Sequence, residues 1–332
     1  MKQIKIDPIL SVEEIKKLEG TFLSKSLIKY HIKEDTKVLN ENGDIICVFK
    51  KNAVPRDILI SCRESFRKGA TESNNRGMAS GLISEKYKVG DKIGGRTIGK
   101  IDGTRYVPIN LKDNKLSNTS YSIPSRSGLM GYSDRYPRIP YCRRTMYNQR
   151  NLQGFKNCLP YIKCVDNFFK DYAPARYKIQ RAMADETSQD FVINDTSFTT
   201  VTVNKNWRTA GHYDHGDLKE GFGNLGVLKK GNYDGGITVI PRYGLGLNLQ
   251  DGDLALFDVH ELHGNTKIIR KGYYERISVV CYYREKMIYC GNSEYELNRA
   301  KTNTKKTALP EELEKAKIIK ERILNASKSS TL

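Results

Sequence analysis

The stretch FTTVTVNKNWRTAGHYDHGD, residues 198–217, alternates β-branched with polar residues and ends in His212-Tyr213-Asp214. On an extended backbone, residues i and i+2 project to the same side. An imidazole and a carboxylate spaced in this way can bind one metal ion together. A third ligand must then come from another strand. LALFDVHELHGNT, residues 254–266, supplies one. There Gly252-Asp253 makes a turn, 254–259 reads as a strand, and His263 follows. His260 lies three residues earlier, so it faces the other side of an extended chain and is expected outside the ligand set. Two imidazoles and one carboxylate form the facial triad of non-haem Fe(II) oxygenases. That triad leaves positions open for the two donor oxygens of 2-oxoglutarate and then for O2.

A third stretch, RISVVCYYR (276–284), puts Arg276 at the head of a strand. A planar guanidinium can bind the distal carboxylate of 2-oxoglutarate through two parallel hydrogen bonds. Arg284 and Arg270 are the alternatives for that role. His215, Asp217 and Asn224 are candidates for the substrate pocket, although His215 and Asp217 could equally stabilise the turn that follows Asp214.

Around these stretches, residues 198–203, 225–228, 237–240, 245–249, 254–259 and 277–283 read as short strands separated by Gly, Asn and Asp. Such spacing predicts a barrel or sandwich. Upstream, Ile162, Val165, Phe168 and Phe169 recur at helical spacing within 159–185 and predict plain core packing, with Pro174 breaking the run. Residues 1–69 read as a small α/β lobe. Ser11 and Glu14 have capping-box spacing, Asn42-Gly43 sits between two apolar runs, and Pro55 opens a helix that stops near Gly69. A mobile loop is expected over 70–90, short strands over 92–110, and a long irregular stretch over 118–154. An exposed amphipathic helix with Leu313, Ile318 and Ile319 is expected over 310–325. The expected division is an N-terminal lobe and loop at 1–90, a catalytic domain at 91–290 with its β core near 190–285, and a charged helical tail at 291–332.

The chain has 332 residues, 56 Lys and Arg against 38 Asp and Glu, and a formal charge of +18. That excess points to a polyanionic partner, DNA or RNA. The seven cysteines are odd in number and form no C-x-x-C pair. They are expected to be reduced thiols of an intracellular protein. No apolar run follows the N-terminus and none approaches a membrane span, so neither a signal peptide nor a transmembrane segment is expected.

The three quoted stretches together resemble the oxygenase domain of the TET/JBP family, and the J-binding-protein branch most closely. SRSGLMGY (125–132) and YCRRT (141–145) resemble it more weakly. The resemblance implies an α+β fold with a double-stranded β-helix (jelly-roll, cupin-like) core and flanking helices. It implies Fe(II) on His212, Asp214 and His263, and 2-oxoglutarate on Arg276. It also implies oxidation of the 5-methyl group of thymine or 5-methylcytosine, usually in DNA, with thymine favoured by the branch. A separate domain for glucosylated DNA is not expected.

A methyl group inside a duplex must flip out to reach a buried metal, at a cost of a few kcal/mol. Basic side chains must then grip the strand. The segment 132–150 carries Arg135, Arg138, Arg143, Arg144 and Arg150 among Tyr132, Tyr136, Tyr141 and Tyr147. Arg138, Arg143, Arg144 and Arg150 are the nucleic-acid contact candidates. The rival readings are a free pyrimidine or nucleoside hydroxylase, a protein hydroxylase, and a catalytically dead binding module. The complete His-x-Asp, His and Arg set speaks against the last.

Overall fold

The strand Ile269–Tyr282 forms the middle of a ten-stranded sheet in the computed structural model. The structure describes all residues other than 75, 102–104, 118–123, 303–304 and 330–332. Gly223–Asp234 pairs antiparallel with one edge of that strand and Thr200–Lys205 with the other. Beyond Gly223–Asp234 lie Leu254–Phe257, Ile45–Lys50, Thr36–Leu39 and Lys2–Lys5. Beyond Thr200–Lys205 lie Ser125–Ser133 and Arg143–Arg144. A second sheet has four strands, in the order Gly264–Asn265, Thr238–Ile240, Leu245–Leu247 and Tyr30–Ile32.

The two sheets pack face to face. Leu225, Val227, Ala255 and Phe257 of the large sheet share one core with Ile240, Leu245 and Leu247 of the small one. This is the expected jelly-roll core. The other face of the large sheet is covered by helices. Val201, Val203, Ile277, Val279 and Cys281 pack there against Phe66 of the helix Arg56–Gly69 and Ile162, Val165 and Phe169 of the helix Leu159–Tyr172. Strand alternation therefore sends every second residue of Ile269–Tyr282 to the helices and the rest to the space between the sheets. Pro174 ends the first helical run by opening a new helix, Pro174–Glu186, at its first position.

The capping box at Ser11 and Glu14 and the turn before Ile45 form as expected. Several expectations are corrected. The first ninety residues do not stand apart, because Ile45–Lys50 pairs with Leu254–Phe257 and Tyr30–Ile32 with Leu245–Leu247. The stretch from 118 to 154 is not one irregular loop. Ser125–Ser133 is a strand inside the large sheet, and Met146–Arg150 and Leu152–Lys156 are short helices. Its first residues, 118–123, lie outside the described ones. Over 70–90, Glu72–Ser73 pairs with Ser125–Ser133, and two 3-10 turns follow at Gly77–Ser80 and Ile83–Glu85.

The cysteines are not all free thiols, since Cys142 and Cys290 form a disulfide across 148 residues of sequence. The tail helix, Pro310–Ser329, exposes Leu313 and Ile318 and buries Ala316, Ile319 and Ile323, the last two against Met183 and Met287. No helix among the described residues is long and apolar enough to cross a membrane.

Candidate active site

Between the two sheets lies a cavity of about 420 Å³. Volumes of this order suit small-molecule sites. Arg276, Ser278, Val280, Tyr282 and Arg284 line it from the central strand and its C-terminal extension, and Thr202 and Asn204 from the neighbouring one. Each is two residues from the next, so the wall follows from the same alternation that buries Ile277, Val279 and Cys281 under the helices.

His212 and His263 stand side by side in the cavity wall as an antiparallel bridge. His212 N–H donates to the His263 carbonyl at 2.9 Å, and His263 N–H donates back at 3.0 Å. The two rings lie 4.4 Å apart between centroids. Nδ1 of His212 sits 2.8 Å from the Ala210 carbonyl, and Nδ1 of His263 sits 3.0 Å from that of Glu261. A carbonyl can only accept, so each Nδ1 carries the proton and each Nε2 presents a lone pair. The Asp214 carboxylate lies 3.7 Å from His212 Nε2 and 3.5 Å from His263 Nε2. All three ligand atoms fall within 4.8 Å of one another.

Burial, reinforced by the neighbouring His263, pulls the His212 imidazole down to about 4. Burial works to raise the Asp214 carboxyl, but His263, His212 and Arg76 together hold it below the usual carboxylate range. A divalent cation requires an ionised carboxylate and an unprotonated ligating nitrogen, and the directions at Asp214 and His212 suit it. The donor set fits Fe(II) in number, type and tautomer.

Arg276 is buried at the opposite end of this wall. Its backbone N–H donates to the Asn206 side chain at 2.7 Å. Its Nε has no hydrogen-bond partner, and no carboxylate pairs with it among the described residues. Burial lowers its hold on its proton, opposed by the Tyr233 hydroxyl. A buried cation without an anion is costly, so the site is built for an anionic ligand. Gly236, at φ +64°, backs the guanidinium closely, since a Cβ there would lie 3.0 Å from Nε.

The two alternatives for the cosubstrate differ from Arg276. Arg284 is engaged by Asp134, with Nε 2.8 Å from Oδ1. Arg270 donates to the Gly272 carbonyl at 2.8 Å and lies on the exposed part of its strand. His260 sits outside the cavity with Nδ1 3.2 Å from Asp258.

Asp217 and His215 line the cavity. Asp217 is buried with Oδ2 unpartnered. Burial, and then the charge of Asp214, push its carboxyl well above the usual range against the pull of Arg284. His215 is exposed and stacks on Tyr213 at 5.4 Å. Asn224 does not belong with them. Its neighbour Leu225 faces the cavity, so Asn224 points to the other side and donates to the Phe222 carbonyl at 2.9 Å.

Of the basic segment, Arg138, Arg144 and Arg150 are exposed. Arg143 is half-buried, donates to the carbonyls of Asp134 and Tyr141 at 3.3 Å, and lies over the Tyr136 ring. Arg135 is a core residue, 1% exposed and paired with Glu296 and Glu312. None of these five lines the cavity.

Arg76, Trp207, Asn204 and Ser278 also line the cavity; the last three lie within the quoted stretches without having been singled out there. Ser278 and Asn204 are reachable by counting in twos from Arg276 and Thr202. Arg76 has a buried Nε with no hydrogen-bond partner and helps hold Asp214 ionised. It comes from a polar stretch with no periodicity to distinguish it.

A jelly-roll core enclosing a two-histidine, one-carboxylate donor set and a buried unpaired arginine defines the class of non-haem iron oxygenases. Residues 128–285 match the Tet_JBP family, described as the oxygenase domain of the 2OGFeDO superfamily. Over those residues, just under half of the chain, it is similar to the oxygenase domain of a superfamily that uses Fe(II), 2-oxoglutarate and O2. It is 35% identical over 180 residues to "Bifunctional helicase and thymine dioxygenase JBP2" of Leishmania infantum, covering 53% of this chain and 16% of that one. It is 34% identical over 168 residues to "Thymine dioxygenase JBP1" of Trypanosoma brucei brucei, covering 49% of this chain and 19% of that one. The match thus spans less than a fifth of either relative. Among solved structures, "NgTET1 in complex with 5mC DNA" superposes with a TM-score of 0.52 at 11% identity, covering 82% of this chain and 86% of that one. That likeness is one of fold.

Proposed function

We propose that this chain hydroxylates the 5-methyl group of a pyrimidine base in DNA, converting thymine to 5-hydroxymethyluracil. The carrying observation is that one cavity holds both the His212, Asp214 and His263 donor set and the unpaired Arg276. Bound Fe(II) supplies the coupling of 2-oxoglutarate decarboxylation by O2, to succinate and CO2, with insertion of one oxygen atom into a C–H bond. The two imidazole Nε2 atoms and the Asp214 carboxylate hold the metal. Arg276 fixes the distal carboxylate of 2-oxoglutarate through its forked N–H groups. Asp217 and His215 stand where a base entering the cavity meets polar side chains. Arg138, Arg144 and Arg150 are free to reach phosphates.

Thymine is the favoured base because the relatives at 34–35% identity are named thymine dioxygenases. The test is a competition between duplexes carrying thymine as their only 5-methyl base and duplexes with uracil for thymine plus 5-methylcytosine. Each is incubated with Fe(II), ascorbate and 2-oxoglutarate, digested, and its nucleosides weighed by mass spectrometry. Hydroxymethyluracil is expected. Hydroxymethylcytosine as sole product would overturn the thymine assignment and leave the oxygenase intact. Hydroxylation of free thymidine with none on DNA would overturn the DNA substrate.

A further inference from the structure

We infer that the β-ribbon formed by Lys92–Ile93, Arg96–Ile101 and Arg105–Asn110 is a second DNA-binding element that grips duplex flanking the reactive base. The inference rests on the DNA reading above. The ribbon is a three-stranded antiparallel meander that pairs with neither of the other two sheets. Among the described residues from 86 to 117, Ile98 is the only one fully buried. A ribbon this thin has no core of its own and is held at the surface by its neighbours.

Its surface is cationic. Lys86, Lys88, Lys92, Lys100, Lys112 and Lys115 are all exposed. The lysine ion pairs of the described residues lie elsewhere in the molecule. The carboxylates that could neutralise them are turned to the backbone. Asp91 accepts the Lys88 N–H at 2.8 Å, and Asp113 accepts the Lys115 N–H at 3.1 Å. Lys86 lies over Tyr87 and Lys100 over Tyr106, with ammonium to ring-centroid distances of 5.5 and 5.1 Å. Over most of its length the ribbon is the two-stranded hairpin Arg96–Ile101 and Arg105–Asn110, an element that a B-DNA major groove about 12 Å wide admits. Charge and shape together favour duplex DNA over an acidic polypeptide.

The segment that leads into the ribbon passes the active site. Just upstream of the ribbon, Arg76, Met78 and Ala79 line the cavity. The Ala79 carbonyl accepts the Ala210 N–H at 2.9 Å, two residues before His212, and Leu82 N–H donates to the Gly20 carbonyl at 2.8 Å. The segment that leads into the ribbon is therefore anchored beside the metal ligands.

The test compares the full chain with a K86Q/K92Q/K100Q variant and a charge-preserving K86R/K92R/K100R variant. Affinity for a fluorescent 24-base-pair duplex is read by anisotropy across a salt series. Product is also measured on a single-stranded thymine trinucleotide, too short to reach the ribbon. The glutamine variant should lower the slope of log affinity against log salt by about 0.9 for each phosphate it no longer neutralises. The arginine variant should restore the slope, and trinucleotide turnover should match the parent in both. An unchanged slope in the glutamine variant overturns the ribbon assignment alone. Equal loss of poly-glutamate binding assigns the ribbon to acidic polypeptides and overturns it too. Absence of duplex binding by the parent at low salt overturns the DNA reading itself.

Discussion

Arg276 and the three proposed metal ligands make separable predictions, because one is proposed to hold an organic anion and the others the metal. His212→Ala, Asp214→Ala and His263→Ala each remove one of three converging ligand atoms. Each should abolish metal binding, read by equilibrium dialysis with Co(II), while His260→Ala should bind normally. A dead His260→Ala beside an active His263→Ala would reverse the assignment. Arg276→Lys replaces a fork by a point charge and should cost one charge-assisted hydrogen bond, about 1.5–3 kcal/mol. At about 1.4 kcal/mol per tenfold change, KM for 2-oxoglutarate should rise roughly 10- to 100-fold with Co(II) affinity unchanged. An unchanged KM would move the role to the other unpartnered cavity cation, Arg76. The four positions assigned from the sequence share one cavity, and they could be proposed because strand parity is a sequence-local fact. Asn224 falls one step out of that parity, and Arg76 carries no local pattern at all.

Strand parity is also what divides the central strands between helix packing and chemistry, and it explains what can be read at the level of elements. Residues 198–203 and 277–283 announce themselves because Val201, Val203, Ile277, Val279 and Cys281 form an unbroken apolar register. Ser125–Ser133 belongs to the same sheet but is hidden. Its Ser and Gly residues dilute the alternation, and they are present for a packing reason. A Cβ on Gly128 would lie 1.9 Å from the Gly69 carbonyl at the end of the helix Arg56–Gly69. Backbone cannot yield as a flexible side chain can, so Gly128→Ala should destabilise the fold by about 1–3 kcal/mol. Chemical denaturation with metal absent would read this, and a midpoint equal to the parent's would mean that helix and strand are not in contact. The Cys142–Cys290 disulfide is illegible for another reason. Its partners are 148 residues apart, and only the tertiary fold brings their Cα atoms to 5.8 Å.

Across the whole molecule, the C-terminal helices reach the cavity through a chain of charges. Glu296, in the helix Ser293–Lys301, pairs with Arg135 and accepts the Cys142 N–H at 2.7 Å and the Gly291 N–H at 2.8 Å. Glu312, in the tail helix, pairs with the same Arg135 at 2.8 Å. The adjacent Asp134 holds Arg284 in the cavity wall. The segment that carries Arg138, Arg143 and Arg144 is therefore pinned from beneath by residues far along the chain, in a stretch whose sequence reads as a detached tail. Both Arg135 and Glu296 are 1% exposed. A buried pair of this kind need not stabilise the fold relative to an apolar substitute, but removing one charge strands the other in a medium that cannot solvate it. Because Glu312 stays paired with Arg135, Glu296→Gln should cost about 1–3 kcal/mol, the penalty of a lost charged hydrogen bond, and loss of both carboxylates about 3–5 kcal/mol. The measurement is a urea unfolding curve, with Co(II) affinity determined on the folded baseline. A large midpoint shift with unchanged Co(II) affinity is expected, since no metal ligand belongs to the network. A midpoint within error of the parent would show that Glu312 alone neutralises Arg135, and Glu296→Gln/Glu312→Gln would then carry the full loss.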